Sequence, residues 1–266
     1  MASPTTKTDI CNMALGRIGH ELTTAVLIAA DTDVDAVKCN LHYEQTRDSL
    51  LRSHWWRFAG ARVRLASAWA TATVYTTDQY VSNDDVWYKC LLAHTSGALD
   101  DEPGTGAVEA TYWTTKTDAE MIPVVEWDLM FDLPSDWLAD RYTYDDNDAH
   151  RSPYSYKAEG DKYLTRENAV DYVYTKKVET VTSFDPLFIE VLVLSLALKF
   201  SMAMGQDKEM YALIKEELYG TPRQKGLMSK VRAMDKQEQN TAGIYDYNTW
   251  LAAYKTSREP THLGGP

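Results

Sequence analysis

Little in this chain equips it for covalent chemistry. Cysteine is scarce, with Cys11, Cys39 and Cys90 the three in 266 residues, and no two form a C-x-x-C pair. An odd, scattered set argues against a disulfide framework and for reducing surroundings. The six histidines (His20, His42, His54, His94, His150 and His262) include no two at the i,i+4 spacing of a zinc-binding helix, so no metal site is expected. No G-x-x-x-x-G-K-[ST] phosphate loop and no G-x-S-x-G nucleophile elbow occurs; Lys225-Gly226 has the wrong order for the first. Basic residues are outnumbered, 27 against 39 acids, giving a net charge of -12. Such a surface repels phosphate backbones, which excludes gripping DNA but not letting DNA slide past. Long apolar runs are missing too. The most apolar stretch, Val191 to Leu198, is bracketed by Glu190 and Lys199 and is far short of the roughly 20 residues a bilayer span needs. Met1 to Lys7 has no charged region leading into an apolar one, so no secretion signal is expected.

What is present is a large apolar share, 44% of residues, enough for one large domain or two small ones. Thr5 or Thr6 is placed to cap a first helix through Ile10, Met13, Ala14 and Ile18, with Asp9 in its first turn and Gly16 and Gly19 at its end. Thr32, with Asp33 and Asp35, is placed to cap a second helix whose stripe is read as Val34, Val37, Leu41, Tyr43, Leu50 and Leu51, reaching toward Ala59. From Trp69 to Thr115 the residues turn to Thr, Val, Tyr and Trp, with turn signals at Ser82-Asn83-Asp84-Asp85 and Gly104-Thr105-Gly106; this predicts a small β unit. The β character continues over 121–181. A break falls at Leu133-Pro134-Ser135-Asp136, a hairpin turn at Glu159-Gly160, and a strand at Tyr172-Val173-Tyr174. Helices return with Ser183 as the expected cap and Pro186 in the first turn of an apolar helix from Leu187 to Met204. Another follows with Met210, Leu213, Ile214 and Leu218 on one face. Gly220-Thr221-Pro222 breaks it, and a last amphipathic run carries Leu227, Val231 and Met234. Helices on either side of a β run predict an α+β fold: an α-helical bundle with a β-rich excursion, an inserted small β module and an extended C-terminal arm.

Acidic clusters offer little chemistry. Asp31, Asp33 and Asp35 start like a calcium loop, but its sixth position is Ala36 and its twelfth His42; acids at a helix start explain them. Asp145, Asp146 and Asp148 read as a solvated loop rather than an acid/base pair. More distinctive is His54-Trp55-Trp56-Arg57-Phe58. Consecutive rings on a helix point to different sides, so either one ring packs on a neighbouring subunit or the rings lock the helix end onto the β region.

Taken in order, several pieces carry a resemblance. Cys11, Asn12, Ala14, Leu15, Ile18 and Gly19 come first, then Arg47, Leu50, Leu51, His54, Trp56, Phe58 and Ala59, with Arg62 and Leu65 after them. Leu133-Pro134-Ser135-Asp136, a hairpin over Gly160 to Thr165, Phe184-Asp185-Pro186-Leu187-Phe188 and Val231-Arg232-Ala233-Met234-Asp235-Lys236-Gln237-Glu238 complete the series. This order resembles the head-to-tail adaptors of short-tailed phages, the tail tubular protein A family. The resemblance implies a virion structural protein at the head-to-tail interface, made in the host cytoplasm. It would form a homo-oligomeric ring, twelve-fold in the family, between the portal protein and the tail nozzle protein. DNA would pass through the ring without specific binding. The resemblance implies no enzyme activity, no cofactor and no membrane. Gly220-Thr221-Pro222 departs from the family's uninterrupted final helix, and residues 69–117 are extra. The expected division is therefore 1–68 with 118–239 as the adaptor bundle and its β region, 69–117 as an insertion, and 240–266 as a docking arm.

The insertion resembles a small chitin-binding-type carbohydrate module on Ala68-Trp69, Val74-Tyr75, Tyr80-Val81, Val86-Trp87-Tyr88-Lys89-Cys90, His94-Thr95, Pro103 and Trp113, with Asn83-Asp84 or Asp84-Asp85 where the module has Gly-Asp. Tyr75, Trp87, Tyr88 and Trp113 are the candidate sugar-stacking rings, although so small a unit needs some of its rings as core. A carbohydrate-binding protein is thus the alternative function, against a module that decorates or braces the ring. A hydrolase built on scattered carboxylates finds no motif. In the arm, Ile244, Tyr247, Leu251 and Tyr254 recur at three, four and three residues, flanked by Tyr245 and Trp250. As a helix this is one apolar face. It reads either as a docking segment, which the resemblance assigns to the portal, or as a helix folded back on its own bundle.

Overall fold

The computed structural model describes residues 4–20, 34–97, 101–123, 125–144, 151–152, 156–203 and 208–241. In chain order the elements are α1 (Lys7–Arg17), α2 (Val34–Arg52), β1 (Gly60–Ala68), β2 (Val74–Tyr75), β3 (Tyr80–Asn83), β4 (Val86–Cys90), β5 (His94–Thr95), α3 (Glu109–Tyr112), β6 (Trp113–Lys116) and α4 (Asp118–Met121). There follow β7 (Leu129–Asp132), β8 (Trp137–Tyr144), β9 (Arg151–Ser152), β10 (Tyr156–Glu159), β11 (Lys162–Thr165), β12 (Val170–Lys176), α5 (Pro186–Ala203), α6 (Lys208–Tyr219), β13 (Gly220–Thr221), β14 (Gln224–Lys225) and α7 (Leu227–Thr241). The fold is α+β. By contacts the chain divides into a helical unit, Met1–Thr46 with Phe184–Pro266, and a β unit, Arg47–Ser183.

In the helical unit, α5 packs on α1, α6 and α7. It is buried nearly all round through Phe188, Val191, Leu192, Val193, Leu194, Leu196, Ala197 and Phe200, as its unbroken apolar sequence requires. Its cap is Asp185, whose Oδ1 accepts from Leu187 N–H at 2.8 Å. Ser183, the expected cap, instead closes a short 3-10 turn from Val181; Pro186 fixes the first helical position and leaves Asp185 just outside it. α1 starts on a reciprocal capping box between Thr6 and Asp9 and buries Ile10, Cys11, Ala14 and Leu15. Gly220, at φ +85°, begins the β13–β14 hairpin that separates α6 from α7, where a Cβ would meet Gln224 O at 2.2 Å.

The face of α2 differs from expectation. Ala36, Cys39, Tyr43, Thr46 and Leu50 are buried, whereas Val34, Val37 and Leu41 are 64%, 47% and 69% exposed. On the inward side Lys7 Nζ sits 5.3 Å from the Tyr43 ring and 3.9 Å from Glu44, and the Cys11 and Cys39 thiols are hydrogen-bonded. α2 also stops at Arg52 rather than reaching Ala59. Trp56 then turns inward, 1% exposed, and donates from Nε1 to Leu50 O at 2.8 Å. Arg141 Nη2 donates to Trp56 O at 2.6 Å, and Trp55 meets Tyr142 at 5.9 Å. The ring cluster thus locks the helix end onto the sheet.

The β unit is a seven-stranded sheet in the order β6-β4-β3-β1-β12-β8-β9, with a three-stranded sheet β10-β11-β7. β1 pairs β12 antiparallel and β3 in parallel. The central strand β12 is buried on both faces through Tyr172, Val173 and Tyr174. Gly160, φ +62°, turns the β10–β11 hairpin, where Glu159 is paired with Lys162. The stretch 69–117 contributes β3, β4 and β6 to the large sheet, so its strands continue a sheet that β1 and β12 also share. Leu65, Tyr80, Met121, Phe131, Tyr163 and Tyr172 belong to one core cluster, and Tyr75, Val81, Tyr88, Cys90 and Trp113 to another.

Candidate functional site

The helical unit carries an open groove of about 1060 Å³ between α1, α5 and the first turn of α7. Its apolar lining is Met13, Val193, Leu194 and Leu227, and Met13 is 42% exposed. Charges ring it. Arg17 pairs with Glu217 at 3.5 Å, and Asp9 is held by the backbone N–H groups of Thr5 and Thr6 at 2.9 Å, which with the Thr6 hydroxyl draw its carboxyl below the ordinary range. Glu190 and Lys230 complete the rim. An apolar bottom with a mixed charged rim suits a helix or a side-chain knob. The outward stripe Val34, Val37 and Leu41 of α2 is a second apolar surface of the same unit, at the i, i+3, i+7 spacing of one helix face. Such side chains are covered when partners assemble. Sequence periodicity named these three residues as part of one apolar stripe with Tyr43, Leu50 and Leu51; the structure turns them outward while Tyr43, Leu50 and Leu51 are buried.

In the β unit, the candidate sugar-stacking rings are mostly walls of a core. Tyr75, Trp113 and Tyr88 are 0%, 4% and 8% exposed. Trp87 is half-buried, edge-on to Phe131 at 5.3 Å. Tyr75 meets Trp113 edge-on at 5.1 Å, and Trp113 Nε1 donates to Asp101 O at 2.6 Å. A pyranose needs an open ring face, and Tyr75, Tyr88 and Trp113 do not present one. The demand of a small core decides the direction of these three rings.

Cys90, His94 and Asp101 lie together in this core, a grouping whose four-residue Cys-to-His spacing was visible in the sequence. Cys90 Sγ is 3.9 Å from His94 Nδ1, and His94 Nε2 is 3.4 Å from Asp101 Oδ2. The three do not converge on one ion, since the thiol and the carboxylate approach opposite ring nitrogens. Among the described residues no group of three or more His, Cys, Asp or Glu is arranged to hold a metal. Burial pushes the Cys90 thiol up to about 11, so little thiolate is present at neutral pH. The Cys11 thiol is raised further by a hydrogen bond with Cys39 and by burial. Asp101 instead serves the loop, accepting from Gly97 N–H at 3.0 Å.

Asp132, at the end of β7, joins three side chains from three other strands. It accepts from Tyr80 OH at 2.6 Å, from Lys89 Nζ at 2.7 Å and from Lys162 Nζ. Burial alone would raise its pKa, but these three donors hold it well below the usual carboxylate range. A shallow cavity of about 250 Å³ beside it is lined by Asp78, Asp136 and Tyr174 among others. Its charges are engaged within the protein: Lys89 bridges Asp78 and Asp132, and Tyr174 OH donates to Asp136 at 2.6 Å.

The expected docking residues Ile244, Tyr245, Tyr247, Trp250, Leu251 and Tyr254 lie outside the described residues, as do Thr32, Asp31, Asp33, Asp145, Asp146 and Asp148. Asp35 is described, with its Oδ2 3.3 Å from His20 Nδ1. Among the described residues no helix is long and apolar enough to cross a membrane. No protein-family model matches the chain, and no curated protein matches it in sequence.

Proposed function

We propose that this chain is a phage virion structural protein, a head-to-tail adaptor that joins the portal to the tail nozzle as a ring and lengthens the DNA channel. It works by shape and apolar docking, with no bond chemistry. The observation that carries this reading is the outward apolar surface of the helical unit, the α2 stripe of Val34, Val37 and Leu41. Three such residues on one helix face are costly in a protein that stays alone and useful in one that assembles. The residues of the motif series support it from the inside. Cys11, Ala14, Leu15, Ile18, Leu50, Leu51, Trp56 and Ala59 are buried, which suits a scaffold on which docking surfaces are carried. Ring subunits repeat one heterologous contact until the rotation closes, and the aromatic spacing of 244–254 supplies the segment that reaches the portal. The sugar-binding alternative loses support because three of its four rings, Tyr75, Tyr88 and Trp113, are core.

The test is electron microscopy of the protein mixed with its portal, together with a pull-down. The expected result is a stacked ring, with portal binding abolished by deletion of residues 240–266 while far-UV circular dichroism stays helical. Normal portal binding by the deleted chain would refute the role of the arm, and no stacked ring with the full chain would refute the adaptor reading.

A further inference from the structure

Two of the three cysteines meet inside the helical unit. The face of α1 toward α2 runs through Lys7, Cys11 and Ala14, at steps of four and three; α2 answers with Tyr43, Cys39 and Ala36, the same steps taken backwards. Contacts at both ends fix this pairing. Lys7 Nζ lies 5.3 Å from the Tyr43 ring and 3.9 Å from Glu44, and past the other end His20 Nδ1 is 3.3 Å from Asp35 Oδ2. Low numbers on one helix meet high numbers on the other, so α1 and α2 run antiparallel. One turn on from Lys7 and one turn back from Tyr43 stand Cys11 and Cys39, and their thiols are hydrogen-bonded to each other. Ala14 and Ala36 fall in the next layer, and all four residues are 0% exposed. Side chains this small let two helix backbones approach closely, which a disulfide requires, since its Cα atoms stand about 4.4–6.8 Å apart. Cys90 belongs to the β unit, where its Sγ donates to Leu92 O at 3.3 Å.

We infer that Cys11 and Cys39 form an oxidation site, at which a disulfide oxidant such as glutathione disulfide joins their sulfurs and staples α2 to α1 with the rest of the fold intact. One cysteine, as thiolate, attacks the S–S bond of the oxidant; a mixed disulfide forms and a first glutathione thiol leaves. The second cysteine attacks the protein sulfur of that mixed disulfide and releases the second glutathione thiol. Two protein thiols thereby lose two electrons and two protons, and one glutathione disulfide becomes two thiols. Reducing surroundings keep the pair open, in keeping with a chain whose cysteines are few and scattered in sequence. Burial makes closure slow, because the oxidant reaches a fully covered sulfur only when the helices part locally. Cys39 follows Cys11 by 28 positions, so the closed bond restrains a long loop of the unfolded chain and stabilises the helical unit. It also fixes α2, the helix that carries the outward stripe of Val34, Val37 and Leu41. The site does not depend on the adaptor reading.

The test brings the full-length protein to equilibrium in glutathione buffers that run from fully reduced to fully oxidised. Samples are quenched with acid, unfolded and alkylated, then digested and mapped by mass spectrometry. All three cysteines are expected to be alkylated after the reduced buffer. After the oxidised buffer only Cys90 is expected to be alkylated, with Cys11 and Cys39 recovered in one linked peptide from a monomeric chain. The oxidised protein is expected to unfold at a higher urea concentration than the reduced one, a shift reversed by dithiothreitol and absent in Cys39→Ala. Cys39→Ala trims a buried side chain and lowers the midpoint in both buffers, so each variant is compared with itself across buffers. Three free thiols in the oxidised buffer, glutathione adducts without a linked peptide, links that include Cys90, or links only between chains would each overturn the site. A link that persists in the fully reduced buffer would overturn its dependence on oxidation. A linked peptide with an unchanged or lowered urea midpoint would overturn the staple.

Discussion

Asp132 shows how one side chain can couple several strands. It stands on β7, and its donors Tyr80, Lys89 and Lys162 come from β3, β4 and β11. The three-stranded sheet and the large sheet of the β unit are thereby tied at one carboxylate. Burial would raise its pKa, yet the three donors keep the folded value below the unfolded one, ordinarily about 3.9. A depressed carboxylate contributes stability that is present above the unfolded pKa and is lost as pH falls through the folded one. Asp132→Asn is therefore expected to cost about 1–2 kcal/mol at pH 7, the low side of a multiply bonded charged group because solvent reaches part of it. The same change should flatten the acid limb of stability below about pH 4. Urea titrations at pH 7 and pH 3 check this, and equal losses at both would mean the carboxylate's charge is not what matters. Nothing in the sequence pointed to Asp132. Its three partners lie 30 to 52 residues away, and long-range pairing leaves no local pattern.

At the scale of the element, α2 is the instructive case. Ala36, Cys39 and Tyr43 face in while the larger aliphatics Val34, Val37 and Leu41 face out. If the outward stripe is a docking surface, its residues should matter little to the folded chain. Leu41→Lys is expected to move stability by less than about 0.5 kcal/mol, whereas Tyr43→Ala, 2% exposed in the wild type, should cost about 3 kcal/mol or more. Chemical denaturation followed by circular dichroism compares them, and comparable losses would place Leu41 in a core. Much of the architecture was legible in the sequence because local rules were sufficient. The Thr6–Asp9 cap, the Gly160 turn, the Tyr172–Tyr174 strand and the Gly220 break each depend on a few adjacent residues. The face of α2 was not, because periodicity identifies a stripe without saying whether it meets its own chain or another. The same limit applied to Tyr75, Tyr88 and Trp113, whose chemistry fits a sugar platform and a small core equally well until neighbours fix their direction.

For the whole molecule the governing quantity is charge. At a net -12, the chain repels duplex DNA, and in the proposed ring that repulsion would surround whatever passes through. Proteins that hold DNA release condensed counterions by placing several Lys or Arg on phosphates, which makes their binding fall steeply with salt. No cationic excess is available here, with 27 basic residues against 39 acidic ones. A conduit benefits from the opposite property, since any phosphate contact that binds also resists motion. The purified protein is therefore expected to give no shift of random duplex DNA in a gel at about 50 mM salt, the condition in which nonspecific binding is strongest. Retention at that salt that disappears by about 200 mM would reveal a concentrated cationic patch despite the net charge. The wall of the proposed channel would then be a gripping surface rather than a repelling one, and the proposed passage without specific binding would fail.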